Sequence, residues 1–185
     1  MDYFQLSDAV SEAVLMLLYN GLDINKLHIV SHSLGAHLSG LVSRQIYEKS
    51  SKTYKIKRIT CLDPAFPLFY PAFFFKPISK SDAEFVDVIH TDGWIYGSPF
   101  STGNADFYPN GGTTLQPGCP KREYLSQTLN DFCSHHRSIR FWAESVANIN
   151  TKTYLSKHCF NYTIFKLGWC KENEVVNMGI DCSTT

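Results

Sequence analysis

The order of apolar patterns along this 185-residue chain predicts an α/β fold, with a mostly parallel sheet and helices packed against it. Three observations carry that prediction. Short strand-like apolar runs alternate with stretches of helical period through the first half of the chain. Strand candidates end at turns, at Ser33 and at Asp63-Pro64, where the proline prevents regular pairing from continuing. At 44% hydrophobic and 14% aromatic residues, the chain carries enough apolar surface for one domain with a buried core.

Taken in order, Val10, Ala13, Val14, Leu17 and Leu18 recur at helical spacing, and Gly21 supplies a stop signal. Leu27-His28-Ile29-Val30 reads as a strand, and Leu34 to Arg44 as a helix with Leu34, Leu38, Leu41 and Val42 on one side. A turn containing Ser33 joins them. Lys55 to Leu62 alternates charged and apolar residues and ends at Asp63-Pro64, while Phe85, Val86, Val88 and Ile89 build a strand within Ala83 to His90. Thr91 to Pro120 is rich in Gly, Pro, Asn and Thr, as long loops and turns with room for short strands. Arg137 to Ile149 is the final helix, with Ile139, Trp142, Val146 and Ile149 as its apolar face. Repeats, low-complexity tracts and linkers are absent from the sequence.

Seventeen basic residues against seventeen acidic ones leave no net field to steer the protein toward nucleic acid or an anionic surface, so any lipid contact must be apolar. No apolar run approaches the roughly 20 residues of a transmembrane helix. Among the six cysteines, Cys119 with Cys133 and Cys159 with Cys170 are spaced as loop-closing disulfides, and no Cys-x-x-Cys suggests zinc. Asn161-Tyr162-Thr163 is a glycosylation sequon, which has meaning in a secreted chain. Yet Met1-Asp2 opens on an amphipathic pattern rather than a signal peptide. The expectation is therefore a chain without its true N-terminus, either a fragment or a gene model begun at an internal Met.

Ser31-His32-Ser33-Leu34-Gly35 lies between a strand and a helix, the context of the Gly-x-Ser-x-Gly nucleophile elbow. Small flanking residues let strand and helix approach while the serine hydroxyl projects clear of the sheet; Ser31 stands where Gly is usual and adds crowding. A serine nucleophile needs a base and an acid to orient that base, in the chain order Ser, acid, His. Asp63, at a strand end 30 residues on, is preferred as the acid. Chain order leaves Asp82, Asp87, Asp92 and Asp106 as alternatives, with Asp82 reading as a turn residue. For the base, His90, His135, His136 and His158 are all open, His135 being placed on a loop between Cys133 and the last helix.

The segments Leu27-His28-Ile29-Val30-Ser31-His32-Ser33-Leu34-Gly35-Ala36-His37, Ile59-Thr60-Cys61-Leu62-Asp63-Pro64-Ala65, Phe85-Val86-Asp87-Val88-Ile89-His90-Thr91-Asp92, Asp106-Phe107-Tyr108-Pro109-Asn110-Gly111-Gly112 and Cys133-Ser134-His135 together resemble the successive signatures of the animal pancreatic-lipase family. They appear in family order and cover most of residues 8 to 182. The resemblance implies an incomplete α/β-hydrolase core with its first strands missing. It also implies Ser33 as nucleophile, Asp63 as orienting acid and His135 as base, with His37 and His90 structural. Leu34 would supply one oxyanion N–H, the second donor coming from a loop upstream of Met1. Without that loop and its strands, the chain is expected to be inactive or unstable.

The resemblance further identifies the loop enclosed by Cys119 and Cys133, 13 residues from Pro120 to Phe132, as a lid over the active site. A lid this short goes with phospholipase A1 activity at the sn-1 ester, the alternative being triacylglycerol hydrolysis. Leu115, Tyr124, Leu125 and Leu129 are candidates for its lipid-facing surface. The implied protein is a secreted lipid ester hydrolase without cofactor or metal, working at a membrane or lipid interface. Calcium is not expected, since Asp82 persists but Phe74 and Ser79 stand where relatives carry acidic ligands. Cys61 and Cys182 have no evident local partner. Non-catalytic yolk-like relatives have lost the nucleophile, whereas all three triad residues stand here; a truncated product with no independent role would also keep the motifs. No counterpart of the family's C-terminal β-sandwich lies within the chain.

Overall fold

In a computed structural model, which describes residues 2–72, 75–121, 131–151 and 153–184, four strands form one parallel sheet. They are β1 (His28–His32), β2 (Arg58–Leu62), β3 (Phe85–Ile89) and β4 (Ala105–Phe107), adjacent in chain order. Three long helices accompany them: α1 (Tyr3–Tyr19), α2 (Leu34–Lys49) and α3 (Cys133–Ala147). This is the expected α/β architecture. Two features depart from the sequence reading. Helix α3 begins at Cys133, four residues before the expected Arg137, so His135 lies within its first turn instead of on a loop. It is also not the last element: β5 (Leu155–Lys157) and β6 (Val175–Asn177) form an antiparallel pair enclosing the short helix α4 (Tyr162–Lys166).

Strand alternation divides the core into two faces. Ile59 and Cys61 of β2 and Val86 and Val88 of β3 point to one side, where Leu15 and Leu18 of α1 and Ala36, Val42 and Ile46 of α2 cover them. Leu62, Ile89 and Phe107 point to the other, under Phe141 and Trp142 of α3, Val176 of β6, and Met178 and Cys182. That second face also holds a polar row: His28 Nε2–H donates to Thr60 Oγ (2.8 Å), which donates to Asp87 (2.8 Å). Arg58 grips the same carboxylate through Nε at 2.8 Å and Nη2 at 3.1 Å. Its remaining N–H groups reach the carbonyls of Gly179 and Ile180, tying the end of the chain to the sheet.

Helix α1 opens with a capping box in which Asp2 accepts from Gln5 N at 2.8 Å and the Gln5 side chain accepts from Asp2 N at 3.2 Å. It closes where expected, with Gly21 at φ 100° and Leu22 N–H bonded to Leu17 O, a Schellman turn. The buried stripes of the helices are rotated from those the apolar pattern predicts. On α1 the buried residues are Ser7, Ser11, Leu15 and Leu18, while Val10 and Leu17 face outward. On α3 they are Ser134, His135, Ser138 and Ser145, with Ile139 and Val146 exposed. Small serines permit close packing, and those at 7, 11, 138 and 145 satisfy their hydroxyls on the carbonyl three residues back.

His37 of α2, fully buried, donates through Nε2 to Ala65 O (2.8 Å), accepts at Nδ1 from Ile78 N (3.1 Å) and stacks on Phe69 at 3.8 Å. Burial holds it down to about 4, so it stays neutral; His28 and His32 are likewise held down to about 4 by burial. A histidine whose folded pKa is depressed leaves the unfolded chain binding more protons between pH 6.5 and 4, so folding weakens as pH falls through that window. For His37 this amounts to on the order of 3 kcal/mol. Burial raises the Asp87 carboxyl, which acts in the opposite sense, so comparison with a variant isolates the histidine. Guanidinium unfolding midpoints should fall less between neutral and acidic pH in His37→Gln than in wild type; equal falls would contradict a buried neutral His37.

Candidate active site

At the C-terminal end of β1 the chain turns sharply into α2 through Ser33, whose φ of 56° and ψ of −121° are rarely adopted by a residue with a side chain. Such a conformation costs about 1–3 kcal/mol and persists only where its surroundings enforce it. Here Ser33 N–H donates to Leu62 O (3.0 Å), and Ser33 O accepts from Ala36 N (3.1 Å) and Ala65 N (3.2 Å). Ser31, in place of the usual glycine, is accommodated: its hydroxyl lies 3.0 Å from Ser39 Oγ, which itself donates to Ala36 O. Leu34 contributes the first amide of α2, a donor with no carbonyl one turn back to occupy it.

Asp63 follows the parallel neighbour β2 and also lies at positive φ, 47°. Its side chain is completely buried. Oδ1 accepts from the backbone N–H groups of Thr91 (2.7 Å) and Asp92 (3.2 Å), while Oδ2 faces His135 Nδ1 at 2.6 Å. Gly97 packs directly on this carboxyl, and a methyl group there would overlap it.

His135 completes the constellation from the first turn of α3, its Nε2 lying 2.8 Å from Ser33 Oγ. A carboxylate at Nδ1 requires that nitrogen to carry the proton, leaving Nε2 free to accept from the serine hydroxyl. Placement on the helix follows from the Cys119–Cys133 disulfide, with Cα atoms 5.7 Å apart, which anchors the residue where the helix starts. Tyr96 and Phe132 stack at 4.4 Å beside the imidazole. The sequence left four histidines open; the structure brings His135 alone of these into hydrogen-bond contact with both Ser33 and Asp63.

The other candidates are engaged elsewhere. Asp82 pairs with Arg44 at 2.7 Å and Asp87 with Arg58, whereas Asp106 accepts from His90 Nε2 at 2.8 Å and from the amides of Thr102 and Gly103. Asp92 contributes its backbone to Asp63. His90 is buried, stacked on Tyr108 at 4.4 Å, with Nδ1 on Ser98 O. His136 is the neighbour of His135 on α3, and His158 lies after β5, its amide bonded to Glu174 O. Sequence reasoning missed Thr91, Gly97 and Tyr96; the first two act through backbone geometry, which side-chain chemistry does not announce.

Both expected disulfides form, while Cys61 and Cys182 are buried free thiols, Cys61 being pushed far up by burial and Cys182 to about 11. Asn161 is exposed and caps α4 through its side-chain oxygen on Ile164 N (2.9 Å). Most of the expected lid, 122–130, lies outside the described residues, as does Phe74; Leu115 is exposed at its approach. No helix among the described residues is long and apolar enough to cross a membrane.

The family profile described as Lipase matches residues 4–185. The chain is 38% identical to Lipase member H-B of Xenopus laevis over 166 residues, covering 90% of this chain and 34% of that protein. It is 38% identical to Pancreatic triacylglycerol lipase of Oryctolagus cuniculus (81% and 34% covered) and 37% identical to Pancreatic lipase-related protein 3 of Homo sapiens (79% and 33%). The chain spans about a third of the length of these relatives. With a profile matched almost from end to end and relatives more than a third identical over most of the chain, the chain belongs to the lipase family.

Proposed function

We propose that this chain carries the catalytic core of a secreted lipid ester hydrolase in which Ser33, His135 and Asp63 act as nucleophile, base and orienting acid. The observation that carries the reading is the continuous hydrogen-bond chain from Ser33 Oγ to His135 (2.8 Å) and on to Asp63 (2.6 Å). As Ser33 Oγ attacks the ester carbonyl, His135 Nε2 takes its proton, and the imidazolium is held by the carboxylate. The Leu34 N–H stabilises the oxyanion. His135 then protonates the departing alcohol, and water, deprotonated by the same imidazole, releases the fatty acid from the acyl-serine. Two disulfides and the exposed Asn161 sequon support passage through the secretory pathway and a glycan at Asn161.

The reading of the substrate class rests on the length of the loop that the resemblance identifies as a lid. A Cys119–Cys133 separation of 14 residues leaves a short loop, which supports phospholipids cleaved at the sn-1 ester, a phospholipase A1 reaction. Triacylglycerol is the second reading, favoured by similarity to a relative named as a triacylglycerol lipase.

Hydrolysis of a soluble short-chain ester should be lost in Ser33→Ala and His135→Ala and should fall in Asp63→Asn by on the order of ten-thousandfold in kcat, with unchanged circular dichroism. An Asp63→Asn variant within about tenfold of wild type would remove the acid from the mechanism. Replacing residues 120–132 with a long lid should lower the ratio of phospholipid to triglyceride hydrolysis; an unchanged ratio would take the lid out of substrate choice.

A further inference from the structure

We propose that His32 is a positioning residue for the base, its Nε2–H donating to the backbone carbonyl of His135; the role rests on the triad reading above. The nucleophile elbow constrains the small residues at positions 31 and 35 but leaves the residue immediately before the serine without an assigned task. In this chain that residue is the last of β1, and its side chain turns toward α3. His32 Nε2 lies 3.2 Å from His135 O, which also faces Ser138 Oγ at 3.0 Å and Thr91 Oγ at 3.4 Å.

The backbone of the base is thereby tied to two strand ends. His32 closes β1 and adjoins the nucleophile, whereas Thr91, just beyond β3, also donates its amide to Asp63 at 2.7 Å. Any shift of the first turn of α3 relative to Ser33 or Asp63 must stretch one of these bonds. The His32 ring adds steric control, lying 4.4 Å centroid to centroid from His135 and 5.5 Å from His136.

Charge favours the same role. The titratable groups facing His32 are His135 and His136 from α3 and Asp63 from the end of β2. Burial, then His135, keeps His32 down to about 4, so at neutral pH it is an uncharged donor. A cationic ring at that distance would oppose the imidazolium that His135 becomes during attack. A neutral ring supports the base without that penalty.

Two variants of the purified protein separate positioning from packing. His32→Gln sets an amide N–H near the place of Nε2, whereas His32→Phe keeps ring volume and removes the donor. On a soluble short-chain ester, His32→Phe should lose about tenfold or more in kcat with KM changed by less than about twofold, since a small displacement of a catalytic group costs chemistry before binding. The far-downfield proton resonance of His135 Nδ1–H on Asp63 should broaden or vanish in His32→Phe. His32→Gln should restore both kcat and the resonance while the two variants keep similar melting temperatures. Wild-type kcat and resonance in His32→Phe would overturn the positioning role and leave the triad standing, as would equal losses in both variants. A wild type that lacks the far-downfield His135 Nδ1–H resonance would instead overturn the triad reading, and this role with it.

Discussion

The arrangement of the sheet ends and of α3 turns on one bridge, the His135 imidazole held between a buried carboxylate at 2.6 Å and a serine hydroxyl at 2.8 Å. The two bonds join segments 72 and 102 residues apart in sequence, so no local preference can form them. The parallel sheet solves the problem geometrically. Because β1 and β2 run the same way and pair in register, their C-terminal ends deliver Ser33 and Asp63 to one edge. Both residues then take positive φ, which bends the chain off the sheet and projects each side chain toward the approaching helix. That strain is borne by the packing below it, where Ser33 N–H and Asp63 N–H bond to the carbonyls ending β2 and β3.

Layering determines which face can hold chemistry. One side of the sheet is closed by apolar contact with α1 and α2. The other carries α3 and a polar row from His28 through Thr60 to the Arg58–Asp87 pair. This row orients side chains without exposing charge, and Arg58 extends it to the carbonyls of residues 179 and 180. Residues 179 and 180 are thus tied to the sheet, and the helix bearing His135 packs on a floor that is itself hydrogen-bonded.

Much of this was legible in the sequence. The strand runs at 27, 55 and 83, the turn at Ser33 and the strand-end Asp63 all follow from period and punctuation, which are local properties. The histidine proposed as base was not legible from residues alone, because four histidines satisfied chain order and resemblance rather than spacing singled out His135. Helix faces were misread for a physical reason. Counting apolar residues placed Val10, Leu17, Ile139 and Val146 inside, but close helix packing selected Ser7, Ser11, Ser138 and Ser145, whose hydroxyls are satisfied by their own helices. The α3 start was misplaced because Cys133 to His136 carries no apolar period, although the disulfide and the bond from His136 N to Phe132 O define the helix there. Thr91 and Gly97 act through an amide and through the absence of a side chain, so composition could not reveal them.

The measurement that bears most directly on the preassembled Ser33–His135–Asp63 bridge is reaction of the purified protein with a fluorophosphonate, followed by mass spectrometry of the modified peptide. The account predicts a single adduct on Ser33, absent when His135 is replaced by alanine. An adduct on another serine, or undiminished modification of Ser33 without His135, would contradict it.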